Sequence, residues 1–226
     1  MRYADSTLAN FTAKALDAIQ EARKRLGLIK VHIAKGNRKV GRVWNVSNMP
    51  RVCCGNCSTC EHYCYDIKAC IQYKNVMTAR AENTALAQDD PVEYFTQIVN
   101  RLTPRIKRKY FRWHVGGEIL NKEYFTCMCL VASARPEWKF WTYTKMHDLV
   151  NQYIAEGGYI PDNLTVLYSK DRNAVVPNPY GMPEAYTVID GDTEDGHGFK
   201  CPGNCEVCID LERGCPFGES VYFLEH

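Results

Sequence analysis

Tyr110-Phe111-Arg112-Trp113-His114-Val115-Gly116-Gly117-Glu118 is the stretch that decides the fold. Its aromatic and β-branched residues favour an extended chain, and the glycine pair ends it, so the pattern predicts a strand over 110–115 closed by Gly116, Gly117 and Glu118. Downstream, Lys122–Ala134 reads as helix, Lys139–Thr144 as strand, His147–Ala155 as helix and Leu164–Tyr168 as strand. Strands alternating with helices of this length indicate parallel βαβ units, hence an α/β fold. Working outward, Val43–Val46 and Ala185–Ile189 are predicted as further strands on either side. A loop rich in Pro, Gly and Asn from Pro177 to Pro183 precedes the latter.

The N-terminal part reads differently. Leu8, Phe11, Ala15, Ile19, Ala22 and Leu26 recur at helical spacing, with Ser6 placed to cap and Gly27 to stop a helix over 6–26. Leu28–Ile33 alternates like a strand and leads into a basic loop, Lys35 to Arg42. Further helices are predicted over Ile67–Ala87 and from Pro91 to Leu102, where proline suits a first turn.

Composition sets the class. The chain has 226 residues, 46% of them hydrophobic, which is enough for one core and one domain, 1–226. A formal charge of +2 argues against a protein built to hold a polyanion by electrostatics. No apolar run reaches bilayer length, and Met1-Arg2-Tyr3-Ala4-Asp5 opens no signal peptide, so the expectation is a cytoplasmic protein with no membrane partner. In a reducing compartment close-spaced cysteines bind metal more often than they pair as disulfides.

Twelve cysteines are present, most of them in two knots. The first holds Cys53, Cys54, Cys57, Cys60 and Cys64, with Cys70 just beyond; the second holds Cys201, Cys205, Cys208 and Cys215. Thiolates two or three residues apart reach one metal centre without straining the backbone, and soft sulfur selects zinc or iron–sulfur clusters. Cys54-x2-Cys57-x2-Cys60-x3-Cys64 has the spacing of the bacterial ferredoxin run, with Tyr65 where that motif carries proline. It points to a [4Fe–4S] cluster, with structural zinc as the alternative. The second knot suits a second [4Fe–4S] cluster or zinc. Cys127 and Cys129 lie in an apolar predicted helix and read as packing.

The chain resembles two families. A cysteine knot after the first strand, an aromatic residue (Tyr65) beside its last cysteine, and Gly116-Gly117-Glu118 at the next strand end are similar to radical S-adenosylmethionine enzymes. That resemblance implies a partial parallel β/α barrel over 43–190 with its cluster loop at 53–70. A helix and strand extension, 1–42, would precede it, and a cysteine-rich metal-binding tail, 191–226, would follow. It also implies S-adenosylmethionine held by Gly116, Gly117, Glu118 and Tyr65, with a flavodoxin- or ferredoxin-type electron donor. The second knot has the family's Cys-x3-Cys-x2-Cys spacing, but only a short tail follows it, so it cannot play the family's cluster role.

The second resemblance runs from Gly36-Asn37-Arg38-Lys39-Val40-Gly41 through Val46-Ser47-Asn48, the knot ending Cys60-x3-Cys64-Tyr65, Arg112 to Glu118, Tyr124 and Tyr143-Thr144-Lys145 to the single residues Asn163 and Ser169. It is to the phage gene product 88 domain family. It implies an architecture and a phage origin (so a host-cell cytoplasm), and no substrate. Gly117-Glu118 replaces the Gly-Asp usual in that family. Whether Cys53, Cys54 or Cys57 is the first ligand stays open. Three ligands would leave an iron open for cofactor, as in an enzyme; four would make a carrier or a staple.

Glu118, His114 and Lys145 are the catalytic candidates. Alternation places His114 on the same face as Arg112. Lys145 sits at a strand's C-terminal end, the edge that carries active sites in β/α barrels. The basic run Arg101, Arg105, Lys107, Arg108 and Lys109 could touch phosphate, but a solvated loop explains it better and nucleic acid is not favoured.

Overall fold

The computed structural model describes residues 2–37, 40–55, 60–171, 174–188 and 198–224. Among these are strands β1 (Trp44–Val46), β2 (Tyr110–Trp113), β3 (Lys139–Thr144), β4 (Leu164–Ser169), β5 (Glu184–Val188), β6 (Phe199–Lys200) and β7 (Val221–Leu224). They form one sheet in the order β1-β2-β3-β4-β5-β7-β6, with every pairing parallel. The order is linear, so the sheet is open and not a closed barrel.

The helices are α1 (Asp5–Arg23), α2 (Tyr65–Gln72), α3 (Lys74–Asp89), α4 (Pro91–Arg101), α5 (Lys122–Ala134), α6 (His147–Ala155) and α7 (Cys205–Leu211). Starts are chemically marked: Asp90 and Asn121 accept hydrogen bonds from the amides of Glu93 and Tyr124. Asn163 fastens the turn between α5 and β3, its amide donating to the carbonyls of Ala132, Arg135 and Trp138.

From β1 to β5 each strand lies beside its predecessor, so crossovers of one hand put the connecting helices on a single face. The side chains agree. Phe111, Trp113, Phe140, Val166 and Tyr168 of the strands pack with Phe95 and Ile98 of α4, Phe125 and Met128 of α5 and Val150 of α6. α1 lies farther out, packed on α3. The opposite face carries Trp141, Leu167, Ala185 and Val221, covered by Ile209 of α7 and by Cys215.

Three expectations change. Leu28–Ile33 is not a strand. Leu26–Leu28 is a short 3-10 turn, and side chains then satisfy the backbone: Gln97 bonds Ile29 O and Val31 N, and Asn83 bonds His32 N. The helix expected over 67–87 is broken at Tyr73, whose backbone is extended (φ −124, ψ 110). The expected C-terminal tail supplies β6 and β7, and β7 pairs with β5 over Val221–Leu224. Its register had no alternation strong enough to mark it as sheet.

Candidate metal and cofactor site

Parallel strands end on one edge, so β1 to β4 bring Ser47 and Asn48, His114 to Glu118, Lys145, and Ser169 to Asp171 together. An open cleft of about 570 Å³ lies there, lined by Arg51, Cys54, Glu61, Lys145, Ser169 and Asp171 among others. Lys145 Nζ pairs with Asp171 at 2.5 Å, and Arg51 lies 3.1 Å from Glu61. The first cysteine loop therefore forms one wall and the strand ends form the floor.

Within that loop the cysteines separate by burial. Cys53 and Cys70 are buried. Cys53 sits 3.7 Å from Thr84 Oγ1, and burial pushes its thiol up to about 11; burial likewise pushes Cys70 up to about 12. Cys54, Cys60 and Cys64 are half-buried. Cys64 and Cys60 lie near enough for one to raise the other's pKa, after burial as the larger cause. Cys57 lies outside the described residues. Cys54 opens on the cleft.

The Gly-Gly-Glu segment is knitted into the protein. Gly116 N donates to Ser47 Oγ and Gly116 O accepts from Asn48 N, both at 3.0 Å. A Cβ on Gly116 would stand 1.8 Å from Asp66 Oδ2, and Asp66 is held by Arg80 at 3.0 Å. Gly117, at φ +82, lies against the Asn48 backbone. Glu118 is buried and accepts from Ile119 N, Thr144 Oγ1 and Lys145 N, each at 2.8 Å. Burial raises its pKa to about 7 against those three donors, which favour the ionised form.

His114 does not reach the cleft. Its φ of +50 breaks strand alternation, so its ring turns to the helix-covered face, away from Arg112. There it bonds Thr142 Oγ1 (3.2 Å) and Tyr124 OH (3.0 Å), and Tyr124 continues to Tyr94 and Asn48. Burial, with the Arg112 charge second, lowers its pKa to about 3, so it is neutral at ordinary pH. Tyr65 is half exposed and its hydroxyl donates to Val115 O.

The second knot lies on the other face of the sheet. Cys201 N bonds Tyr222 O, while Cys205 and Cys208 stand one turn apart on α7, whose first turn is capped by Asn204. Glu212 (φ 51) and Gly214 (φ 77) reverse the chain and bring Cys215 back towards α7. Cys215 Sγ is 2.7 Å from Tyr143 OH. Burial, then the neighbouring cysteines, push Cys208 up to about 12; burial pushes Cys215 up to about 12 as well. Among the described residues, no three His, Cys, Asp or Glu side chains are gathered closely enough to hold a metal ion as they stand. The donor chemistry nevertheless fits a soft metal: four thiols within electrostatic reach of one another, beside a buried Arg112 Nε that has no hydrogen-bond partner. Sequence reading missed Arg112 and Tyr143 as neighbours of this knot; their strand period fixed the face but not what covers it.

The basic run is structural where it is paired. Arg108 and Arg42 both bond Glu206 of α7, at 2.9 and 2.8 Å. Trp138, Phe140 and Trp141 are core residues.

The fold and site together define a singly wound, all-parallel α/β protein with one cysteine loop at the strand-end edge and a second cysteine knot on a sheet face. This chain belongs to the gene product 88 family, whose model matches residues 12–213. No curated protein and no solved structure matches it. Among the described residues no helix is long and apolar enough to cross a membrane.

Proposed function

We propose that the protein is an iron–sulfur metalloprotein that acts as a small radical S-adenosylmethionine-like enzyme on a sheet resembling a partial β/α barrel. One observation carries the reading: the cysteine loop after β1 and the Gly-Gly-Glu segment after β2 meet at the same strand-end edge, beside a cleft. Cys54, Cys60 and Cys64 would hold the first centre; Cys57 as a fourth ligand would close it and make a carrier or a staple. When bound, such a cluster supplies an electron for reductive cleavage of S-adenosylmethionine. The chain's own contribution is positional. Lys145 and Asp171 present a cation and an anion in the cleft, suited to the carboxylate and ammonium of an amino acid. Glu118 holds the β3 end, and with it Lys145, through the Lys145 amide.

Anaerobically reconstituted protein should then be brown, contain iron and sulfide, and release 5′-deoxyadenosine when reduced with S-adenosylmethionine. Colourless protein holding only zinc ends this reading. Calorimetric titration adds a second check. Glu118→Ala should weaken cofactor binding by about 1.5–3 kcal/mol if the carboxylate meets the ammonium; unchanged affinity leaves it as a clasp between strands.

A second reading has its own support. Both polar backbone groups of Gly116 and both oxygens of Glu118 are already used within the protein. In a non-enzymatic protein whose cysteine centres staple the fold, that arrangement is sufficient in itself. Iron without cofactor cleavage is the result that favours it.

A further inference from the structure

Arg112 is out of place for a strand residue. Its side chain projects to the face of the sheet covered by α7 and by the Cys215–Phe217 turn. The guanidinium carbon stands 4.7 Å above the Tyr143 ring; Nε is buried with no hydrogen-bond partner, and the group's hydrogen bond to a knot ligand is to the Cys205 side chain, which bears no charge as a thiol. The ionisable groups around it include Tyr143, Tyr65, Cys205, Cys215 and His114: two phenols and two thiols that are neutral when protonated, and an imidazole that burial keeps neutral, so none of these supplies an anion. A cation taken out of water normally requires an anion beside it, and leaving one unpaired is costly. The aromatic contact offsets only part of that cost.

The missing anion is supplied if the thiols lose their protons. Cysteines bind metal as thiolates, and four thiolates around a divalent ion or an iron–sulfur cluster leave the site anionic. Tyr143 is already placed to act with it: one face of its ring carries the guanidinium, and its hydroxyl lies 2.7 Å from Cys215 Sγ. Hydrogen bonds to ligand sulfurs and nearby fixed charge are the usual means by which a protein tunes such a centre.

We infer that Arg112 is the countercharge of a metal centre built by Cys201, Cys205, Cys208 and Cys215, and that Tyr143 joins the two by donating its hydroxyl to the Cys215 sulfur. This rests on the reading that the second knot holds metal; it does not depend on the first knot or on any activity. Both are positioning residues, acting on the ligands and not on a substrate.

The probe is cobalt(II), titrated anaerobically into reduced, metal-free full-length protein against a competing chelator, with cobalt–thiolate absorption as the readout. The absorption that Cys205→Ala removes belongs to the second knot. If Cys205→Ala removes none, that knot holds no metal, and both the reading and the inference fall. If it does remove absorption, Arg112→Gln should weaken that site by roughly 10–100-fold, Arg112→Lys should recover part of the loss, and Tyr143→Phe should show a smaller loss. Unchanged affinity in Arg112→Gln overturns the inference while the metal reading stands. Equal losses in Arg112→Gln and Arg112→Lys also overturn it, because they would mark a packing role.

Melting of the metal-free proteins gives an independent arm. Removing an unpaired cation should leave metal-free Arg112→Gln at least as stable as metal-free wild type, whereas a packing residue would lower it. Should Arg112→Gln fail to fold, that failure counts against the countercharge role, and Arg112→Lys with Tyr143→Phe still decides the matter by affinity.

Discussion

The two cysteine knots look alike in sequence and are built in opposite ways. The first is a loop hung from the end of β1, with Cys54 open to a cleft and its neighbours Cys53 and Cys70 turned into the core. The second is packed against the sheet, between strands that hold Arg112 and Tyr143 and a helix pinned by Arg42 and Arg108 through Glu206. A knot at a strand edge can be lost with local consequences. One that covers a sheet face, and whose flanking chain forms β6 and β7, is part of the core.

The largest expected difference follows from that contrast. In metal-loaded protein Cys205→Ala should lower the melting temperature by roughly 10 °C, the effect of a few kcal/mol in a chain of this size. Cys64→Ala should move it far less and should abolish any cofactor cleavage. Equal melting losses in the two variants would erase the distinction between the knots. A variant Cys205→Ala that melts normally but has lost cleavage would transfer the chemistry to the second knot.

Next is Gly116→Ala, which tests the floor beneath the first knot. A methyl there meets Asp66 Oδ2 at 1.8 Å and must displace an ion pair whose carboxylate is buried. The expected cost is about 3 kcal/mol, combining overpacking with a strained pair, measured by denaturant unfolding. A neutral result would show that the floor is loose enough to admit a ligand.

Glu118 sharpens the comparison through pH. Its pKa rises from 4.5 to about 7 on folding, so the folded state holds the proton more tightly. The stability this confers is complete below about 4.5 and is lost as pH climbs through about 7, by roughly 3 kcal/mol at most. His114 works the other way. Its pKa falls to about 3, so its contribution is present above its unfolded pKa of about 6.5 and is lost as pH falls towards about 3. His114 and His147, whose pKa burial also lowers, titrate in an overlapping window but are the same in both proteins, so the difference between wild type and Glu118→Gln isolates the carboxylate. The variant should lack the loss of stability that Glu118 contributes between about pH 5 and 8 in melting curves. An unchanged slope would mean that Glu118 stays ionised in the fold. The smallest effect should come from Glu206→Gln, which weakens the two surface ion pairs that Arg42 and Arg108 make with α7; its melting shift should be slight and should shrink further in high salt.

Much of the α/β order was legible because local signals and burial agreed. The spacing of α5, β3 and α6, with the Asn121 cap on α5, is strong enough to place their ends as observed. His114 was misplaced because alternation assumes strand dihedrals, and one left-handed residue sends the ring to the other face. Leu28–Ile33 alternates as a strand should, but distant side chains, Gln97 and Asn83, took its backbone bonds. The short strands β6 and β7 carry too little pattern to announce a sheet partner that lies across α7.

What the sequence alone determined is chemistry of short range: which residues form helices and strands, and which cysteines are close enough along the chain to share a metal. Only the tertiary structure decided which cysteines turn inward, that Glu118 and Gly116 are held by their neighbours, and that Arg112 meets the second knot. Those outcomes depend on contacts between residues far apart in the chain, such as Arg112 with Cys205 and Gly116 with Asp66. Spacing along a strand or helix cannot encode them, because it fixes the face a side chain presents and leaves open what the fold brings against that face.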